Sequence, residues 1–247
     1  MDEKQAIRER IWGSIEAAPE VRRPPGTFGR IPNFAGAEAA AVRLAERPEW
    51  RAARVLKVNP DSPQLWVRAR ALDEDKRLYV PVPKLAAEHP FVLLERSRLG
   101  VPALEAVTIE GASRQGKPTR LEDVSPLDFI VCGSVAVNAS GARIGKGGGY
   151  ADLELALLVE LGLVGERTVV ATTVHDLQVL EEPLPETAHD FRVDLVITPT
   201  RSIECPRTAR PRGIVWEDLA PDKIASIPLL AKKARERAAS GSAAGES

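Results

Sequence analysis

Cysteine is nearly missing: the 247 residues contain two, Cys132 and Cys205. Two cysteines build no disulfide framework, and nothing around them has the spacing of a zinc site. Long apolar runs are missing as well, so no stretch reads as a bilayer span. The start of the chain, Met-Asp-Glu-Lys-Gln-Ala-Ile-Arg, lacks the apolar core of a signal peptide, and a cytoplasmic protein is the expectation. No sign of charge dominates either. Lys and Arg number 34 against 35 Asp and Glu, for a formal net charge of −1. That balance gives no electrostatic case for binding nucleic acid or a membrane surface. What is present is 44% hydrophobic and 28% charged residues, at a length that can bury a sizeable core. One domain over 1–238 is expected. The small polar run Ala-Ser-Gly-Ser-Ala-Ala-Gly-Glu-Ser, 239–247, reads as a disordered tail.

Glycine is concentrated where it matters. The stretch Ser140-Gly-Ala-Arg-Ile-Gly-Lys-Gly-Gly-Gly-Tyr-Ala-Asp152 follows an apolar segment, 128–137, that reads as a buried strand. It precedes Leu153–Leu161, which reads as a helix. A glycine-rich loop between strand and helix lets backbone N–H groups approach an anion, with the helix dipole adding positive charge. Gly147, Gly148 and Gly149 have no Cβ to keep phosphate oxygens away. Arg143 and Lys146 would neutralise phosphate, and Asp152 in the following turn could hold magnesium. The loop lacks the Lys-Ser/Thr ending of a Walker A motif and the context of a dinucleotide fingerprint. On the residues alone, a plain tight turn and a phosphate loop stand about level.

The rest of the chain alternates. An amphipathic helix over 2–17 carries Ile7, Ile11 and Ile15 on one face, and Lys4 and Arg8 share another. Helices are predicted at 36–47, 64–73 and 222–238, and strands at 54–59, 77–82, 91–95, 106–110, 168–174 and 194–198. The region 111–126 reads as loop, and the Arg- and Pro-rich 201–213 as an excursion of open role. Alternating strands and helices predict an α/β fold, a three-layer α/β/α arrangement around a mostly parallel sheet. Ligands in such folds sit beyond the carboxyl ends of strands, where the glycine loop, Asn59–Asp61 and His175–Gln178 fall. His175 and His189 read as structural, since magnesium prefers oxygen ligands.

With these pieces placed, the run from Asn138-Ala-Ser-Gly-Ala-Arg143-Ile-Gly to Lys146-Gly-Gly-Gly-Tyr150-Ala-Asp152 resembles the signature of the 5-formyltetrahydrofolate cyclo-ligases. The resemblance extends to Pro185-Glu-Thr-Ala-His-Asp190 downstream, and to Lys4, Arg8 and Lys76 upstream. Phe34-Ala-Gly-Ala-Glu38 and Val58-Asn-Pro-Asp61 look like a divergent branch, the cyclo-ligase-like or synthetase-domain-containing proteins. The resemblance implies that family's fold, with ATP and Mg2+ as cofactors. It implies conversion of 5-formyltetrahydrofolate to 5,10-methenyltetrahydrofolate through a phosphorylated formyl oxygen. Residue by residue it implies that Lys4 and Arg8 contact ATP phosphates. Arg143, Gly145, Lys146, Gly147, Gly148, Gly149 and Tyr150 would form the phosphate loop, with Arg143 and Lys146 in catalytic roles. Asp61 and Tyr150 would contact the substrate, and Asp152 and Asp190 would hold magnesium.

Asn138, Ala151 and Leu153 stand where the family has aspartate, a second tyrosine and arginine. Aromatics make up 4% of the chain, leaving Phe34, Trp66, Tyr79 and Tyr150 as candidates to stack a pterin. Three readings follow: the folate cyclo-ligase, an ATP-using enzyme acting on another heterocycle such as a thiamine-related metabolite, and a nucleotide-binding regulator.

Overall fold

Helix α1 (Glu3–Glu16) opens the fold, with the Asp2 side chain accepting from the Lys4 N–H to cap it. Its Ile7, Ile11, Trp12 and Ile15 are buried. Helices α2 (Ala37–Ala45) and α3 (Pro48–Ala52) lead into strand β1 (Val55–Val58). Helix α4 (Leu65–Asp73) carries the chain to β2 (Arg77–Pro81) and β3 (Phe91–Leu94). Short helices α5 (Ala103–Ala106) and α6 (Ile109–Gln115) follow, then β4 (Lys117–Thr119), β5 (Phe129–Cys132), β6 (Ala136–Asn138) and β7 (Arg143–Ile144). After the glycine loop come α7 (Tyr150–Glu160), β8 (Val169–Thr173), β9 (Val179–Leu180), β10 (Leu195–Ile197) and β11 (Ser202–Glu204). The chain closes with α8 (Pro221–Ser226) and α9 (Pro228–Ala244). This computed structural model describes residues 2–244. Of the tail expected over 239–247, the backbone of 239–244 continues α9, and 245–247 lie outside the described residues. Among the described residues, no helix is long and apolar enough to cross a membrane.

The main sheet has the order β11-β10-β8-β5-β1-β2-β3-β4. Its centre, β10-β8-β5-β1-β2, is parallel, and β11, β3 and β4 add antiparallel edges. Side chains alternate along each strand, so each face has its own core. Leu56, Val58, Phe129, Val131 and Ala171 join α1, α2 and α4 on one face. Ile130, Cys132, Val170 and Val196 join α7, Ile227 and Leu230 on the other. The three-layer α/β/α expectation therefore holds. A small second sheet, β7-β6-β9, stands beside it.

Four local expectations fail, each for a physical reason. Residues 106–110 are not a strand. The Thr108 hydroxyl accepts from Gly111 N–H at 2.9 Å and starts α6. The region 111–126 is not all loop, since it finishes α6 and supplies edge strand β4, where Pro118 is tolerated. The apolar run 128–137 is two strands. A Cβ at Gly133 would meet Asp61 Oδ2 at 2.9 Å and Ile31 at 2.9 Å, so the chain turns there under close contact and β6 enters the second sheet. The single last helix is broken at Pro228, which holds Ile227 extended at φ −111° and ψ 106°.

Strand β1 hands on to β2 on one side, while β5, β8 and β10 lie on the other. The carboxyl ends of β1 and β5 thus flank a topological switch point. Beneath it, Lys57 of β1 points into the second core. Its ammonium pairs with Glu154 of α7 and donates to Asn59 Oδ1 at 2.6 Å, with 3% and 5% of the two charged side chains exposed. Burial pushes the Glu154 carboxyl up, and Lys57 pulls it back. Breaking such a pair leaves a lone buried charge. Lys57→Met should cost about 3–5 kcal/mol, and Lys57→Met with Glu154→Leu should recover most of that loss. Urea unfolding checks it; equal losses in the single and double variants would show that the two side chains are not a coupled pair.

Candidate functional site

The corner after β1 is Asn59-Pro60-Asp61. Asn59 N–H extends the ladder to Val131 O at 2.9 Å, and Pro60 then ends it. Arg68 of α4, 2% exposed, holds the corner from beneath. Its guanidinium donates to the carbonyls of Asn59 and Asp61, the latter at 3.0 Å, and to Val107 O at 3.0 Å. Burial pushes Arg68 down to about 10 and Asp61 opposes it, so the group is still a cation at neutral pH. Sequence reasoning missed this residue, because its three acceptors are backbone atoms on segments it cannot identify.

The glycine loop leaves the hairpin β6–β7. Asn138 turns that hairpin: its Oδ1 accepts from Ser140 N, Ser140 Oγ and Ala142 N at 2.7–3.2 Å, and its Nδ2 donates to Glu182 O at 3.1 Å. A carboxylate could not make that last bond. The amide of Asn138 therefore ties the hairpin to the backbone at Glu182. Gly147 and Gly149 have φ of +102° and +63°, in the region that L side chains avoid. Gly149 caps α7 without a side-chain hydrogen bond to its first turn. Arg8 reaches in from α1, its Nε donating to Gly145 O at 2.8 Å and its guanidinium lying over Gly147.

The charged residues named from sequence meet here in pairs. Arg143, with 2% of its side chain exposed, places NH2 3.4 Å from Asp152 Oδ1 and its guanidinium 4.2 Å over the Phe191 ring. Burial weakens its hold on the proton. Asp152 foremost, then Cys132, Asp190 and Glu154, outweigh burial and hold it on more firmly. Its Nε is buried without a hydrogen-bond partner. Lys146 pairs with Asp61 at 2.7 Å, and Lys4 of α1 pairs with Asp190. Among the described residues, no three of His, Cys, Asp and Glu cluster as a metal site. Carboxylate oxygens such as those of Asp152 and Asp190 suit a hard cation that takes its other ligands from phosphate and water.

Lys223 of α8 was not foreseen. Its ammonium donates to Gly148 O and lies 4.9 Å over the Tyr150 ring. Burial lowers its affinity for the proton, and Asp152 and Asp222 raise it. No local pattern near residue 223 signals a site. Of the stacking candidates, Phe34 and Tyr79 are core residues, 2% and 1% exposed, and Trp66 is partly buried against the first core. Tyr150 is the first residue of α7, directly after the loop. His175 caps a turn, accepting from Leu177 N–H at 3.2 Å, and His189 faces Thr187 Oγ1 at 3.0 Å.

A model of the 5-formyltetrahydrofolate cyclo-ligase family matches residues 1–199. The methenyltetrahydrofolate synthase domain-containing protein of Mus musculus is 40% identical over 244 residues, covering 95% of this chain and 63% of that protein. The Homo sapiens protein of the same name is 38% identical over 242 residues, covering 96% of this chain and 63% of its own length. The chain thus spans less than two thirds of those relatives. The NMR structure of Aquifex aeolicus 5,10-methenyltetrahydrofolate synthetase superposes with a TM-score of 0.54, covering 87% of this chain and 99% of that one. At 23% identity, that likeness is one of fold.

The Lys4–Asp190 pair predicts a pH effect of definite sign. Burial raises the Asp190 carboxyl, but hydrogen bonds from Lys4 and Thr187 outweigh it and hold the group below the ordinary 3.8. Its stabilisation is therefore present above that value and is lost as pH falls through the folded one. In Lys4→Met the Asp190 midpoint should rise and acid unfolding should begin at higher pH. Carboxyl-carbon NMR titration checks this; an unmoved midpoint would mean the pair does not form in solution.

Proposed function

The chain belongs to the 5-formyltetrahydrofolate cyclo-ligase family, and from that premise we propose that it is an ATP- and magnesium-dependent cyclo-ligase. It would convert 5-formyltetrahydrofolate to 5,10-methenyltetrahydrofolate. The observation that carries this reading is the pairing at the loop: each cation expected to meet phosphate is partnered by a carboxylate or a loop carbonyl. Such pairs can exchange partners: phosphate oxygens would take the cations, and magnesium or donors of the substrate would take the carboxylates released.

The chemistry asks for this arrangement. An amide-like formyl oxygen is a poor leaving group, so it must become a phosphate ester. The formyl oxygen attacks the γ-phosphorus of ATP, the bond to the bridging oxygen breaks, and ADP leaves. N10 then attacks the activated carbon and loses its proton. The carbon–oxygen bond breaks, inorganic phosphate departs, and the ring closes. Lys146 and Arg143 would neutralise the transferring group, with Lys4 and Arg8 on the remaining phosphates and the free N–H groups of α7 behind them. Asp61, released by Lys146, would accept a hydrogen bond from the heterocycle, and Tyr150 would flank it. Magnesium, for which Asp152 and Asp190 offer oxygens, would supply further neutralisation of phosphate charge.

The burial of Phe34 and Tyr79 favours a second reading, in which the same phosphate side serves a different heterocycle, catalytically or as a nucleotide-binding regulator. A turnover assay with 5-formyltetrahydrofolate, magnesium and ATP separates the two. The cyclo-ligase reading expects methenyl absorbance and ADP to appear together. Lys146→Ala should then lower kcat/KM by about 100-fold or more. Nucleotide binding without methenyl product would transfer the site to the second reading, and unchanged kcat/KM in Lys146→Ala would remove that lysine from the chemistry.

A further inference from the structure

The segment beyond the family match at 1–199 is fastened to the chain around both ends of α7. Strand β11 first turns back on β10. Arg207 then donates to Glu166 O at 3.0 Å, and Arg210 to Thr168 O at 3.0 Å and Arg192 O at 3.2 Å, besides pairing with Asp194. Glu160, at the carboxyl end of α7, receives Ile214 N–H at 3.0 Å and Lys233 Nζ at 3.1 Å. Ile227 and Leu230 are buried in the core that α7 builds. The Arg- and Pro-rich excursion is therefore a strap, and it ends by laying Lys223 on the glycine loop.

The place of that ammonium is unusual. A Cβ on Gly149, the residue capping α7, would lie 3.2 Å from Lys223 Nζ. The amino end of a helix carries partial positive charge and disfavours a cation. Arg8, reaching in from α1, and Lys146 meet at the same loop, and the buried Arg143, whose Nε has no partner, lies against it with NH1 3.3 Å from the Cβ position of Gly145. Asp152 and Asp61 pair with Arg143 and Lys146, while the Lys223 ammonium rests on the Gly148 carbonyl, so an anion at this positive helix end would join Lys223 to the other cations. We propose that Lys223 is a phosphate-binding residue for the triphosphate of the nucleotide, contributed by the strap and completing the site that residues 1–199 begin.

This inference rests on the phosphate-loop reading, and the experiment separates the two. ATP and AMP affinities are measured by calorimetry on the full chain and on Lys223→Met, Lys223→Arg and Lys146→Ala, with melting curves for each. Lys223→Met should weaken ATP about 10-fold, as expected for loss of one charge-assisted contact, and leave AMP unchanged. Lys223→Arg should keep most of the ATP affinity. Full ATP affinity in Lys223→Met beside a loss in Lys146→Ala would overturn the inference and leave the loop standing. Unchanged ATP affinity in both variants would remove both. An equal loss of ATP and AMP with a lowered melting temperature would make Lys223 a strut of the strap and also overturn the inference.

Discussion

The structure turns on a buried guanidinium. Arg143 opens the short strand β7 with 2% of its side chain exposed. Keeping it charged there costs several kcal/mol of desolvation unless carboxylates and a ring take the place of water. That need accounts for much of the surrounding architecture. Asp152 must sit in the first turn of α7, so the loop between Arg143 and that turn is short and glycine-rich. Phe191 must cover the guanidinium plane, so the 185–191 segment crosses over to meet Arg143. Asp190 arrives with Phe191 and in turn fixes Lys4 of α1. One interaction thus ties the amino-terminal helix, the glycine loop and the crossing segment into a single site.

A second constraint places that site at the switch in strand order. Gly133 ends β5 because Asp61 and Ile31 fill the space a side chain would need. The same contact aims Asp61 at the loop, where Lys146 meets it at 2.7 Å. Arg68 fixes the backbone of that corner, so the carboxylate is positioned by a cation it does not itself bond. Pairing in this site is therefore layered. Lys57 and Glu154 neutralise the floor, Arg68 fixes the wall, and of the pairs above them Lys146–Asp61, with 46% of the lysine side chain exposed, is the readiest to exchange partners. A surface pair is worth little and opens readily, whereas a buried one does not.

How far the sequence reveals this follows from the range of each interaction. The glycine loop, the apolar face of α1 and the placing of Asp61 at a strand end are local patterns, and they are legible as such. Lys4 and Arg8 share a helix face by spacing alone; only the family resemblance turns that face toward phosphate. The split between β5 and β6 is hidden in one apolar run, because the break comes from residues 61 and 31, far away in the chain. The helical nature of 103–115 is hidden by a threonine whose capping role competes with its strand preference. Arg68 and Lys223 are invisible for a different reason: both donate to backbone carbonyls, which carry no sequence identity.

The strap gives these contacts a thermodynamic consequence. Helix α7 is held at its carboxyl end through Glu160 and at its amino end through Lys223, both by the same segment. Docking of the strap and order of the glycine loop are therefore linked equilibria. Any ligand that engages Lys223 in the docked state stabilises the strap by the factor by which docking improves that ligand's affinity. The Glu160 end enters this balance without touching the ligand, since Gly213 packs closely against that carboxylate and leaves the strap little freedom to shift alone. On the proposed role of Lys223, binding energy at the glycine loop is in this way shared with a segment outside the 1–199 family match.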